Sequence, residues 1–365
     1  MRVLIDLTSL ADNFSGLERF ALSITKQLIT DKTFHYILVF KNNVFKDFTE
    51  HNENIETIVL KGKNKLYFNQ IILPKAINGI KADYYLFLAF PAPFFFNKPN
   101  SISAIHDLGA WDCPTTNKKH MVYYFKLLYR KCSKSNNKVI TVSEFSKQRI
   151  IDILHVKEEN IIVAYDGLSD TFSKFAYYSD KNDEVIKKYK LPQKYILSLS
   201  TLEPRKNLQL LIMEYDKLLQ DHAEYDLVLA GRQGWLVDDL LSRVSSETKK
   251  HIHFTGFIDE DDLPYIYKNA LLFVFPSLYE GFGVPPIEAM SMGVPVVCSD
   301  SSSLPEVCGD AAEYFKNNDS NDLNRAIKYM LKDQLIKKKY SLIGQDQCKK
   351  FSWQNSAEKI KNILI

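Results

Sequence analysis

Short apolar runs recur along the chain, and the stretches between several of them have apolar residues at helical spacing. The first run, 3–7 (VLIDL), is followed by LERFALSITKQLI, in which apolar positions return every three or four residues. Further runs stand at 35–40 (HYILVF), 55–60 (IETIVL), 83–90 (DYYLFLAF), 101–108 (SISAIHDL), 138–143 (KVITVS) and 161–167 (IIVAYDG). Helical period returns at about 117–134 and in EFSKQRIIDIL. Nearly continuous apolar strands alternating with amphipathic helices predict a parallel sheet covered by helices on both faces.

Between 168 and 190 the pattern lapses into polar residues (KFAYYSDKND), which reads as a linker. Alternation restarts at 195–200 (YILSLS), followed by the helical NLQLLIMEYDKLL, and continues with strands at 226–231, 251–256, 271–277 and 294–300. Helices are expected at 283–292 and 320–332. The fold class is therefore α/β, with two doubly wound, Rossmann-like parallel-sheet domains at 1–172 and 173–352. In such sheets ligands bind beyond the carboxyl ends of the strands, so a cleft between the halves is the expected site.

Composition agrees with two soluble domains. Of 365 residues 45% are apolar and 25% charged, enough for two cores and too apolar for disorder. The charge is uneven: residues 1–175 carry 23 Lys and Arg against 17 Asp and Glu, whereas 176–365 carry 24 against 27. A basic first half fits an anionic ligand or surface. The five cysteines show no CxxC spacing, as expected for a reducing compartment. MRVLIDLTSL lacks the features of a secretory leader, and no stretch has the ~18 apolar residues of a membrane span. A cytoplasmic protein is expected, with peripheral contact to the inner face of the plasma membrane as an option.

Candidate chemistry lies where strands end. EGFGVPPIE follows the apolar run LLFVFPS and sets Glu280 and Glu288 around two glycines and two prolines. Gly281 and Gly283 permit open backbone, and prolines suit a first helical turn. The free N–H groups there favour an anion, while carboxylates suit sugar hydroxyls. As a lone pair of acids this is as often a plain helix start. TLEPRKN also follows a strand and precedes a helix, and its Arg205 and Lys206 are suited to phosphate oxygens. Gly231 (LVLAGRQGW) and Gly256, Phe257 and Ile258 (HFTGFIDEDDL) supply strand-end turns able to border a nucleobase. Asp259 and Asp261 form a D-x-D pattern, but acids at a helix start more often cap it, and no metal site is expected. In the first half Gly16, in NFSGLERF, lets a loop approach the cleft, with Glu18 and Arg19 opening the next helix. His106 and Asp107 end a strand; a strand-end histidine is more often structural than catalytic, and its place on the cleft edge makes it a candidate.

On these residues the chain resembles a bacterial family 4 glycosyltransferase of the retaining GT-B architecture, most strongly from about 196 to 315. The resembling elements are the E-x7-E pair Glu280 and Glu288, the EPRKN loop with Arg205 and Lys206, the loop with Gly16, the pair His106 and Asp107, and SSLPEVCGDAA. The loop at Gly16 departs from many relatives, having one glycine where a pair is common. The resemblance implies that Glu288 holds the donor ribose. It implies that Glu280, with the backbone of Gly281, Phe282, Gly283 and Val284, holds the sugar. Arg205 and Lys206 would stabilise the leaving diphosphate, and His106 would contact the sugar. It also implies that the terminal helix, 353–365, returns to the first domain.

The chemistry expected is transfer of a hexose from a nucleotide sugar to a glycan or polyprenyl-linked acceptor, without cofactor or metal. Preorganised cations would stabilise charge growing on the departing diphosphate. GDP-mannose is the favoured donor by resemblance, with UDP- and dTDP-sugars as alternatives. A nucleotide-sugar epimerase shares the fold, and a non-catalytic nucleotide-binding module is the reading from another class. A dehydrogenase would need GxGxxG after the first strand, which is absent, and no nucleic-acid partner is expected. Finally, 117–138 carries seven cations and no acid around Met121, Tyr124, Phe125, Leu128 and Tyr129. An ordinary helix with its apolar stripe in the core explains that pattern as well as a contact of 118–134 with anionic lipid does.

Overall fold

The computed structural model describes residues 1–11, 16–50, 52–134, 137–221, 224–232 and 240–364. The chain divides into two compact units, Met1–Gly167 with Ser352–Ile365, and Leu168–Phe351.

In the first unit seven strands form one sheet: β1 (Arg2–Asp6), β2 (His35–Lys41), β3 (Ile55–Leu60), β4 (Tyr84–Phe87), β5 (Ser101–Ala104), β6 (Val139–Thr141) and β7 (Ile161–Val163). Their order is β3-β2-β1-β4-β5-β6-β7, and every pairing is parallel. The strands buried on both faces are the continuous apolar runs of the sequence: Val3, Leu4, Ile5, Ile37, Leu38 and Val39 are fully buried. The helix Gly16–Leu28 covers one face through Phe20, Ala21, Ile24 and Leu28, and the helix Trp353–Lys361 packs on it. Ser356 Oγ donates to Tyr165 O at 2.7 Å and Lys359 Nζ to Val163 O at 3.1 Å, tying the chain end to the segment after β7. Gly167 sits against this helix so closely that a Cβ there would lie 2.7 Å from Trp353 N.

The second unit repeats the plan with six strands: β8 (Tyr195–Leu199), β9 (Asp226–Ala230), β10 (Ile252–Gly256), β11 (Leu272–Phe275), β12 (Val296–Ser299) and β13 (Ala312–Phe315). The order β10-β9-β8-β11-β12-β13 is all parallel. Leu208–Gln220 and Ser320–Lys332 bury their apolar stripes in one core with Ile196, Leu227, Val274 and Val297. These pairings make the architecture α/β, with two doubly wound, Rossmann-like sheets of strand order 3-2-1-4-5-6 about their first strands. In each, sequence order reverses beside that first strand, between β1 and β4 and between β8 and β11.

The structure differs from the sequence reading in four places. Residues 168–190 are not a bare linker: Ser179–Tyr189 is a helix of the second unit. Its Lys181 and Lys188, seven positions apart and so on one face, ion-pair with Asp262 at 2.7 and 2.6 Å, and Lys188 also reaches Asp259 at 2.6 Å. Asp259 and Asp262 accordingly bridge two helices instead of capping one; neither side chain caps its helix start. The unit boundary falls at Gly167, ahead of the expected 172, because Phe172 packs edge-on to Tyr267 of the second unit at 5.7 Å. In the helix Lys119–Cys132, Met121 is exposed although the spacing put it in the core stripe, whereas Lys131 is half-buried with Nζ donating to the carbonyls of Pro93 and Phe96 at 2.8 Å.

Candidate active site

The second unit's reversal point is flanked by the loops after β8 and β11, and these hold the two motifs singled out in the sequence. After β8 the chain turns through a single 3-10 turn, Pro204–Lys206, and reaches the helix Leu208–Gln220 through Asn207 at φ +53°. Arg205 and Lys206 therefore stand in the turn before the helix. Leu278 N donates to Arg205 O at 2.8 Å, which fastens this turn to the loop after β11.

Glu280 joins the two loops. Its Oε1 accepts from Lys206 Nζ at 2.6 Å and from Ser277 Oγ, and its Oε2 accepts from Arg205 Nη1 at 3.3 Å. Arg205 is also held by Tyr279 O at 2.9 Å and by Glu203, whose Oε1 lies 3.0 Å from Nη2. Glu203 and the serine were not singled out in the sequence. A carboxylate offers about four lone-pair positions; three are used, which leaves one direction on Oε2 for a further donor such as a sugar hydroxyl.

The electrostatics are tense by construction. Burial alone would push the Glu280 carboxyl up, but the Lys206 and Arg205 charges and the hydrogen bonds from Lys206 and Ser277 overcome it and hold the group below its ordinary value. For Lys206 burial wins: desolvation, together with repulsion from Arg205, pulls the ammonium below its usual range against the attraction of Glu280. The shifts oppose each other because two adjacent cations share one buried carboxylate. The Lys206–Glu280 contact at 2.6 Å is that of an ionised pair, and we take both as charged at neutral pH. Lys206 also lies 5.2 Å over the Phe275 ring, which favours the cation.

The backbone of the loop is fixed by a run of serines. Glu280 N donates to Ser302 Oγ at 2.8 Å, and Ser303 Oγ donates to Glu280 O at 3.1 Å and Phe282 O at 2.8 Å. Gly283 then takes φ +110° and begins the helix Val284–Ser291, and as its N-cap residue it supplies no side-chain cap. A Cβ on Gly283 would meet Leu304 Cδ2 at 2.7 Å. Gly281 and Val284 flank this turn, and Phe282 is buried edge-on to Phe351 at 5.2 Å. Glu288 is buried in that helix and accepts from Tyr267 OH at 2.8 Å. Tyr267 is a further residue that sequence spacing did not reveal.

Two neighbouring strand ends complete the carboxyl edge. Gly231 at φ +128° lies so close to β8 that a Cβ would fall 1.9 Å from Ser200 O, and its N–H donates to Gly256 O at 3.0 Å. Phe257 stands exposed with the Arg232 guanidinium 4.6 Å from its ring centre, while Ile258 is buried beneath.

In the first unit His106 follows β5 and bonds across to the end of β4, with Nε2 2.9 Å from Leu88 O. A carbonyl only accepts, so the proton sits on Nε2 and Nδ1 is the acceptor. Burial lowers the ring's pKa, against the hydrogen bond to Leu88 and the charges of Asp107 and Glu18, so the imidazole is neutral at pH 7. Phe20 packs edge-on to it at 4.9 Å. Asp107 Oδ1 is engaged by Gly109 N at 2.8 Å. Gly16 opens its helix exposed, with open space around a would-be Cβ; residues 13–15 of its loop lie outside the described residues.

Comparison with known proteins places this geometry. The family described as "Glycosyl transferases group 1" matches residues 180–347, which contain the whole cluster of Arg205, Lys206, Glu280 and Glu288. O-antigen chain mannosyltransferase B of Escherichia coli is 29% identical over 378 residues, covering 97% of each chain. Serotype-specific mannosyltransferase WbdA of Escherichia coli is 33% identical over 223 residues, 60% of this chain, which spans only 27% of that longer protein. Among solved structures, sucrose-phosphate synthase from Thermosynechococcus elongatus superposes with a TM-score of 0.77 at 18% identity, covering 99% of this chain and 98% of that one. The second unit is thus a group 1 glycosyltransferase domain, and the chain is a glycosyltransferase of the GT-B fold.

Proposed function

We propose that the protein transfers mannose from GDP-mannose, with retention at the anomeric carbon, to a glycan or polyprenyl-linked acceptor in the assembly of a surface polysaccharide such as an O-antigen. The carrying observation is the pair Arg205 and Lys206, held by one buried carboxylate at the reversal point of the second sheet. Mannose is favoured by the likeness to the O-antigen mannosyltransferase over nearly the whole chain.

In the proposed step the bond from the sugar's anomeric carbon to the terminal phosphate oxygen breaks, and a bond from that carbon to an acceptor hydroxyl oxygen forms on the same face. The hydroxyl proton passes to the departing diphosphate. Charge grows on phosphate oxygens, where Arg205 and Lys206 stabilise the transition state more than the ground state. Glu280 fixes both cations and keeps one lone-pair direction for a sugar hydroxyl. Glu288 is proposed to hold the ribose. The loop with Gly16 and the backbone of Gly281, Phe282, Gly283 and Val284 are proposed for the diphosphate and sugar. Gly231, Gly256, Phe257 and Ile258 are proposed to border the base. His106 is proposed to accept from a sugar hydroxyl through Nδ1.

Because two side-chain cations supply the needed charge, turnover is expected to persist in excess EDTA; loss on chelation, restored by Mg²⁺ or Mn²⁺, would refute this. The enzyme is proposed to work on the cytoplasmic side of the membrane, and no helix among the described residues is long and apolar enough to cross one. The donor is tested by protection against thermal unfolding across GDP-, UDP- and dTDP-sugars. Protection by GDP-mannose above the others is expected; a stronger effect of a UDP- or dTDP-sugar would overturn the mannose assignment.

A further inference from the structure

At the carboxyl edge of the second sheet, the ends of β9 and β10 set a cation and an aromatic ring beside the turn that holds Arg205 and Lys206. β9 ends at Ala230 and β10 at Gly256, so Arg232 and Phe257 follow their strands by two positions and one. Backbone contacts fix where Arg232 stands. Gly231 N donates to Gly256 O at 3.0 Å, which joins the two strand ends, and Leu202 N donates to Arg232 O at 2.9 Å. Leu202 precedes Arg205 by three residues, so their Cα atoms are at most about 11 Å apart. A side chain at 231 would meet Ser200 O at 1.9 Å, and only glycine lets the chain follow β9 this closely into Arg232.

Phe257 is 46% exposed, although its neighbour Ile258 is buried. A single exposed phenylalanine is ordinary. This one carries the Arg232 guanidinium 4.6 Å from its ring centre. The ring's negative face favours a cation there and restricts where the guanidinium N–H donors point. Arg205 and Lys206 are engaged by Glu280 in the same unit; Arg232 is a further cation on this edge, set against an aromatic surface.

We propose that Arg232 reads the guanine base of the donor, giving two parallel hydrogen bonds to O6 and N7 while the Phe257 ring supports the guanidinium. The inference rests on the GDP-mannose reading and names the residue that selects its base. The diphosphate is common to all the candidate donors, so Arg205 and Lys206 do not choose between them. Guanine presents two acceptors side by side on one edge, which match the forked donors of a guanidinium. Uracil and thymine present a single oxygen, O4, beside an N–H that would face the fork donor to donor, and adenine presents N7 beside an amino donor. A guanidinium gains two bonds from guanine and one from the others, and such a bidentate pair discriminates by about 5- to 150-fold.

The test is binding of GDP, 7-deaza-GDP and UDP to the full chain by isothermal titration calorimetry, with Arg232→Ala and Arg232→Lys alongside. 7-Deaza-GDP carries a C–H where guanine has N7. The parent should bind it about tenfold more weakly than GDP. Arg232→Ala should lower GDP binding by about 5- to 150-fold, leave UDP binding nearly unchanged and abolish the preference for GDP over 7-deaza-GDP. Arg232→Lys keeps the charge but not the fork, and should lose that preference too. The preference is a ratio within one protein, and a general loosening of the fold would weaken both nucleotides alike; unfolding midpoints of the variants are recorded beside it. Equal affinity of the parent for GDP and 7-deaza-GDP would overturn the assignment without any variant. So would an Arg232→Ala variant that keeps the preference, or that loses GDP and UDP by the same factor. In each of these cases a parent that binds GDP more tightly than UDP leaves the donor reading standing. A parent that binds UDP more tightly than GDP overturns the donor reading, and guanine selection with it.

Discussion

Replacing Glu280 by Gln should destabilise the second unit and make it depend on a bound diphosphate. The carboxylate is acceptor-only and receives Lys206, Ser277 and Arg205. An amide has one acceptor end and one donor end, so whichever way it turns, an N–H₂ group faces a cation or a hydroxyl that was donating. Two adjacent cations then lose their shared counter-charge in a site that is largely dry. Breaking a buried pair costs about 3–5 kcal/mol, and the partial exposure of Arg205 argues for the lower figure, about 3 kcal/mol. For a domain of this size each kcal/mol shifts the midpoint by about 2–4 °C, so a fall of about 6–12 °C is expected. GDP should then stabilise the variant more than the parent, because its phosphates supply the charge that the carboxylate no longer does. Thermal unfolding by fluorescence, with and without saturating GDP, measures both effects. A fall below 1 °C, or a GDP-induced rise no larger than in the parent, would refute the proposition that Glu280 stands in for a diphosphate in holding Arg205 and Lys206.

Two further outcomes follow from buried groups. Burial raises the Asp166 carboxyl to about 7, against the pull of Arg19; its stabilising effect is complete below the unfolded value near 4 and is lost as pH rises through 7. Asp166→Asn should therefore be more stable than the parent at pH 8 by up to about 4 kcal/mol, three units at 1.36 kcal/mol each, with the difference closing toward pH 4; a pH-independent difference in urea midpoints would refute it. Tyr267→Phe removes a 2.8 Å donor from the buried Glu288 carboxylate, which should cost about 1–3 kcal/mol and weaken GDP binding; an unchanged GDP titration would separate Glu288 from the nucleotide.

The sheets were legible because their central strands are buried on both faces and read as continuous apolar runs, whereas the edge strands Ile55–Leu60 and Ile252–Gly256 are only partly buried. The parallel order could be argued only as far as the alternation of strands and helices, and the register came from the structure. The helix Ser179–Tyr189 was missed because its face is charged: Lys181 and Lys188 find their partners at Asp259 and Asp262, more than 70 positions away, and no local pattern reports such a pairing. At the candidate site Arg205, Lys206, Glu280 and Glu288 stood out as charged residues in strand-end turns. Their supports did not. Glu203 lies within the same TLEPRKN motif and was the most accessible omission. Ser302 and Ser303 open the SSLPEVCGDAA segment, which stood out only as a whole by resemblance, with no role given to either serine. Tyr267 is an apolar-looking residue in a short helix, and nothing local distinguishes it from core. The same limit applied to the basic helix at 118–134, whose charge count was correct but whose Lys131 is used inside the fold.

Arg205 and Lys206 are proposed to stabilise the diphosphate as the sugar–phosphate bond breaks. The direct measurement is release of GDP from GDP-mannose by the purified chain, beside Lys206→Ala and Arg205→Ala. Turnover by the parent and a loss of about 10²–10³ in each folded variant is the expected result, the usual effect of removing one donor from an oxyanion site. Near-normal turnover in both variants, or none from any nucleotide sugar by the parent, would rule out this role for the two cations.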